Sequence, residues 1–323
     1  MATSTGSGDY DVVVGPYNAN SSTTIATGHT VTLTDNVTGN NFFQIQAGAT
    51  LVGGGFSITV DNESSSDLTF LNAGTISGVL DVIITNPNGV AAINFTGQGG
   101  NVRNLTINNA STIATIQDDT TLDGNLTITS GELNTKSGSN HALTVAGLTE
   151  IGPGSGAADQ ATLTCNASTV SLGSGRTSSH ALIINQGGTF VGGTGTHTIG
   201  SLNIKNNTNC KCTLTSGNTT INGENASTSK AINIEGSNGA VNFSHGNGTV
   251  IITFNGSSDI KADGVTLNLN NLTINHADAD INTKSNLTCA GDVTITAGIL
   301  DGEDDAISFG SLTIASGGTY DAT

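Results

Sequence analysis

The 25 carboxylates of this 323-residue chain include three clusters that could do chemistry. They are Asp118-Asp119, Asp278 with Asp280, and Asp301, Glu303, Asp304 and Asp305. Two carboxyl groups at a defined separation hydrolyse glycosidic bonds, one as acid and the other as base or nucleophile. Lyase chemistry on polysaccharides adds calcium and an Arg or Lys base. Only Arg103 and Arg176 are arginines, and neither lies near a carboxylate cluster along the chain. The clusters therefore read as solvated turn residues, and no catalytic residue is assigned. Asp301, Glu303, Asp304 and Asp305 offer the hard oxygen ligands that calcium takes. They lack the Asp-x-Asp-x-Asp-Gly spacing, and no Gly-Gly-x-Gly-x-Asp repeat occurs. No metal or cofactor site is assigned, and calcium is the one ion left open.

Softer nucleophiles and ligands give no constellation either. Cys210 and Cys212 place two sulfurs on one side of a strand, but two thiolates do not complete a tetrahedral zinc site. With Cys165 and Cys289 they are too few and too scattered to staple the chain, and free thiols are expected. The histidines, His29, His141, His180, His197, His245 and His276, sit near turn-like segments with no nucleophilic triad. Gly53–Gly55 leads into a strand pattern and lacks the Lys-Ser/Thr of a phosphate loop.

Composition excludes whole classes of partner. Eight basic residues against 25 acids give a formal charge of −17. A nucleic-acid binder needs clustered Lys and Arg to displace counterions from phosphates, so no nucleic-acid partner is expected. The longest apolar runs, such as Val12–Val14 and Val250–Ile252, are too short to cross a bilayer. Met1–Tyr10 has neither the basic nor the apolar region of a secretory signal, which predicts synthesis in a cytoplasm. Asn-x-Ser/Thr triplets, as at Asn36, Asn104, Asn125 and Asn271, then follow from an Asn/Thr-rich composition.

What must position these residues is a repeat. Short apolar–polar–apolar pieces recur at Asn104–Ile107, Asn125–Ile128, Ala142–Val145, Thr162–Cys165, Ala181–Ile184 and Ser201–Ile204. They resume at Ala231–Ile234, Asn271–Ile274, Asp292–Ile295 and Ser311–Ile314. The period is about 20 residues, the mark of a stacked-repeat fold. Only the 30-residue step from Leu202 to Ile232 breaks it, as an insertion or irregular coil would. No repeat unit holds a run with helical spacing, which removes the helical repeat families. The fold class is therefore all-β, a single-chain parallel β-solenoid with about 20 residues per coil. Leu105, Ile107, Leu126 and Ile128 should stack inward as a narrow aliphatic core with little room for aromatics. Thr106, Thr127, Thr144 and Thr273 should face outward. Gly and Asn should supply left-handed corners, and the amides of Asn104 and Asn125 should form internal ladders that bond coil to coil. Residues 1–9 read as a flexible arm, 10–100 as a less regular cap, and 101–323 as the regular solenoid.

The rhythm of Gly124–Asn134 and Gly310–Thr319 resembles that of solenoid repeats in phage tail fibres, phage head-surface proteins and bacterial adhesins. The resemblance implies a non-enzymatic structural or adhesive protein of a virion surface, a fibre, spike or decoration. It also implies self-association, as a homotrimer in many members, contact with other virion proteins, and a cell-surface saccharide as the target. The alternatives are a bacterial adhesin or filament-forming matrix protein at the cell surface, and a polysaccharide depolymerase on the same fold.

Overall fold

The computed structural model describes residues 2–15, 22–61, 68–85, 89–95, 97, 100, 102–154, 161–176, 179–205, 209–225, 227–236 and 242–322. Strands of three to fifteen residues dominate, with a single short helix, Tyr10–Val13, among the described residues. The strand pairs in register are parallel throughout, each strand lying on its counterpart about one turn of chain later. This is a parallel β-solenoid of about 23 residues per turn. Two compact units divide it, Met1–Ala146 and Gly147–Thr323.

In the N-terminal unit each turn has three sides. One side stacks Val37, Ile58, Val82, Leu105 and Leu126, consecutive partners that are all fully buried. Alternation follows from the period of two in an extended strand, which sends Leu105 and Ile107 inward and leaves Thr106 half-exposed. A second side carries Thr30–Thr32, Thr50–Val52 and Thr75–Ser77, with Val31, Leu51 and Ile76 buried between polar ranks. The third side corrects the expectation of an aliphatic core poor in aromatics. Tyr10, Phe43 and Phe70 stack at 6.5 and 5.6 Å, and Phe95 meets Phe70 edge-on at 5.2 Å. Residues 2–9, read as an arm, hold two short strands, Ala2–Thr3 and Gly8–Asp9, paired to Thr23–Thr24 and Val31–Thr32.

The C-terminal unit repeats the three-sided turn. Leu182, Leu202, Ile232 and Ile260 form one inner row, and Ile252, Ile274, Ile295 and Ile314 another. Each fully buried Leu or Ile contributes roughly 1.5–3 kcal/mol of transfer free energy. The 30-residue step is one enlarged turn, because Leu202 pairs directly with Ile232. The sequential run of leucines, however, is not one ladder. Leu143 lies on Thr120, and Leu163 on Phe190 rather than on Leu182. Similar strand pieces on different sides of the turn mimic a shorter period, so the true turn is longer than the spacing suggested.

Corners are where the backbone is most constrained. Gly193 has φ +68°, and a Cβ there would lie 1.7 Å from the carbonyl oxygen of Asn166. Stacked turns leave no lateral freedom to relieve that contact. Gly193→Ala should therefore cost about 2 kcal/mol, measured as a lower denaturation midpoint with an unchanged slope in urea. Asn140, Asn166 and Asn247 also take left-handed corners, as expected.

Candidate functional site

Asp118 and Asp119 lie in the N-terminal unit, and Asp278, Asp280 and the acids at 301–305 lie on successive turns of the C-terminal unit. Asp118, Asp119 and His141 place one ligand atom each within 4.8 Å of one another, the one such group among the described residues. His141 belongs to the next turn, so its approach to Asp119 follows from the pairing of Thr120 with Leu143 and is invisible as a local motif. Asp119 Oδ1 lies 3.9 Å from His141 Nδ1 and accepts the Ala142 N–H at 2.8 Å. Asp278 is exposed and Asp280 half-buried on the turn that precedes Asp301, and the Asp278 N–H donates to His276 Nδ1 at 3.2 Å. The acids at 301–305 are used locally: Asp301 Oδ1 accepts the Glu303 N–H at 2.8 Å, and Glu303 pairs with Lys284.

Both arginines are engaged by other partners. Arg103 grips Asp81, Nε to Oδ1 at 2.8 Å and Nη2 to Oδ2 at 2.5 Å. Asp81 also accepts from the Asn104 amide at 2.9 Å, and Asn104 Oδ1 accepts the Asn125 N–H at 2.7 Å. The Asn104 amide thus bonds turn to turn, but at a half-buried strand edge and not in an internal ladder. A buried amide pair lies elsewhere: Asn233 Nδ2 donates to Asn203 Oδ1 at 2.8 Å. Arg176 donates to Ser179 Oγ at 2.9 and 2.6 Å.

The cysteines and two of the histidines, His180 and His197, are buried. None of the four cysteines is in a disulfide. Burial alone pushes Cys289 up to about 12, and burial with Glu235 raises Cys210 to about 11, far from the thiolate form needed for nucleophilic attack. His180 is lowered to about 4 by burial first and Lys205 second. His197 corrects the expectation of turn placement. It occupies an inner row between Val170 and Thr219, edge-on to Phe190, and burial lowers it to about 4.

A polar depression among the described residues is the candidate site, an open groove of about 320 Å³. Corner loops of three successive turns build it: Ala262–Thr266, Lys284–Asn286 and Asp305. Asp263, Lys284 and Asp305, one from each loop, are the charged residues of its lining. Lys261 pairs with Asp263 at 2.6 Å beside it. Ser285 Oγ accepts the Ala262 N–H, and Asn286 Oδ1 the Ala306 N–H, which fixes both side chains between turns. The hydrogen bond to Glu303 raises the Lys284 ammonium above its ordinary value. A protonated amine cannot accept a proton, so Lys284 is a hydrogen-bond donor and counter-charge here and supplies no general base. The groove therefore offers donors and acceptors together, as a hydroxyl-rich ligand requires.

No protein-family model, curated protein or solved structure matches this chain.

Proposed function

We propose that this chain is a non-enzymatic structural and adhesive β-solenoid, displayed on an assembled particle such as a phage virion, where it engages saccharides and neighbouring proteins. The observation that carries this reading is the outward array of uncharged polar side chains held in register. Thr273, Thr294 and Thr313 form one row, and Asn268, Thr288 and Ser308 another, in which Ser308 Oγ and Thr288 Oγ1 are 3.1 Å apart. Successive turns repeat these groups at about 4.8 Å. Such rows, with the groove at Asp263, Lys284 and Asp305, present a periodic hydrogen-bonding surface on a rigid support. The charge of −17 keeps the particle from adhering to anionic polymers indiscriminately.

A panel of neutral and acidic polysaccharides, scored for both binding and cleavage, tests the proposal. Saturable binding without release of oligosaccharides is expected, and Lys284→Ala should weaken it about tenfold, the loss of one charge-assisted hydrogen bond. Absence of binding to every polymer would remove the adhesive reading. Release of unsaturated or reducing sugars would replace it with a depolymerase.

A further inference from the structure

Asp118 and Asp119 form the corner before the strand Thr120–Leu122, and His141 stands two residues before Leu143–Val145, one turn later. Parallel pairing of Thr120 with Leu143 brings His141 beside the two acids. Backbone hydrogen bonds hold the corner on both turns. The Thr120 N–H donates to the Ala142 carbonyl at 2.8 Å, and the His141 N–H donates to the Thr135 carbonyl at 3.1 Å. Asn140, left-handed at φ +54°, turns the chain immediately before His141. The acids are oriented as well: Asp119 Oδ1 accepts the Ala142 N–H at 2.8 Å, and Asp118 Oδ1 accepts the Asp119 N–H at 2.9 Å. One ligand atom from each of the three side chains lies within 4.8 Å of the other two. His141 Nδ1 and Asp119 Oδ1 are 3.9 Å apart, too far for a hydrogen bond between them. Ligands held about 2.1 Å from one zinc ion stand about 3–4 Å from each other. No Lys or Arg among the described residues pairs with Asp118, and Lys136 Nζ donates to the neutral Gln117 Oε1 instead.

We propose that Asp118, Asp119 and His141 form a binding site for a borderline divalent cation of the zinc type, which clips two successive turns of the solenoid together. An imidazole nitrogen beside two carboxylates suits Zn²⁺, whereas Ca²⁺ takes about six to eight oxygen ligands and gains little from a histidine. The two neighbouring carboxylates repel each other, and a dication between them turns that repulsion into attraction. The Asp119 side chain is 74% exposed and that of His141 21%, so an ion reaches the site directly and water fills its remaining positions. Exposed Asp118 is free to rotate and close the longest ligand separation. The Ala142 N–H on Asp119 is the kind of outer hydrogen bond that orients a ligating carboxylate. Because the third ligand comes from the next turn, the ion links strands that a local metal loop would not. Binding then stabilises the stacked state by mass action.

Isothermal titration of zinc chloride into the 323-residue chain, carrying no histidine tag, tests this. Saturable binding of one zinc ion at this corner is expected. His141→Gln and Asp118→Asn should each weaken it about tenfold or more, and circular dichroism checks that both variants are folded. His276→Gln, which alters a histidine beside Asp278 in the other unit, should leave the affinity unchanged. Saturating zinc should raise the melting temperature of the parent chain and not that of His141→Gln, and a chelator should reverse the gain. Calcium chloride, titrated in the same way, should bind at least about tenfold more weakly than zinc. A parent chain that binds no zinc overturns the proposal. So does zinc binding that survives both variants, or a preference for calcium, which would make the corner a site of oxygen ligands alone.

Discussion

Replacing Ile274 by aspartate should unfold the turns around it, while Thr273→Asp, one residue away, should cost about 1 kcal/mol or less. Ile274 is fully buried in the row Ile252, Ile274, Ile295. Described basic groups lie on the outer faces or in corner loops, engaged as Lys261 with Asp263 and Lys284 with Glu303. An unpaired carboxylate in such a row costs about 5 kcal/mol or more, enough to consume most of an ordinary domain's stability. Protonation would lower that cost, but only at the expense of the lost aliphatic contacts. Thr273 faces outward between Ile251 and Thr294, where a carboxylate keeps its water and loses only β-propensity. Thermal melts followed by circular dichroism, with limited proteolysis at 25 °C, separate the two. Equal losses in both variants would mean that the inward and outward rows are wrongly assigned.

Acid should weaken the C-terminal unit through His197. Its native value of about 4 lies below the ordinary 6.5, because burial disfavours the imidazolium, with the Gly192 backbone opposing in part. The unfolded chain therefore binds the proton more tightly than the native one. This contribution to stability is complete above about pH 6.5 and is lost as the pH falls from there towards about 4. At 1.36 kcal/mol per unit it amounts to about 3 kcal/mol over that window. His197→Val keeps a strand-compatible apolar side chain between Val170 and Thr219 and removes the titrating group. Urea unfolding at pH 7 and pH 4.5 should show a loss about 2–3 kcal/mol larger in the parent chain than in the variant. Parallel pH dependences would show that His197 is hydrated or paired in the native state.

The fold class was legible because a solenoid writes its geometry into composition and spacing. The pairs Leu105 with Leu126, Leu272 with Val293, and Val293 with Leu312 follow directly from the period. The outward threonines and the Asn corners follow from alternation and backbone sterics. The aromatic stack of Tyr10, Phe43, Phe70 and Phe95 also left a trace, in a spacing of 25–27 residues between the phenylalanines, but lacks the Leu-Thr-Ile signature that guided the reading. The candidate groove left almost none. Asp263, Lys284 and Asp305 lie about one turn apart, each in an unremarkable polar loop, and become neighbours only when turns stack.

Local residue pattern alone determined that the backbone is extended and which side chains turn inward, because these depend on a period of two and on turn chemistry within a few residues. Tertiary structure decided which repeat lies on which. Leu163 sits on Phe190 and not on Leu182, His197 enters an inner row, and Asp119 meets His141. The physical reason is that turn length varies from corner to corner, so register accumulates along the chain. Similar strand pieces from different sides are interchangeable in sequence but not in space.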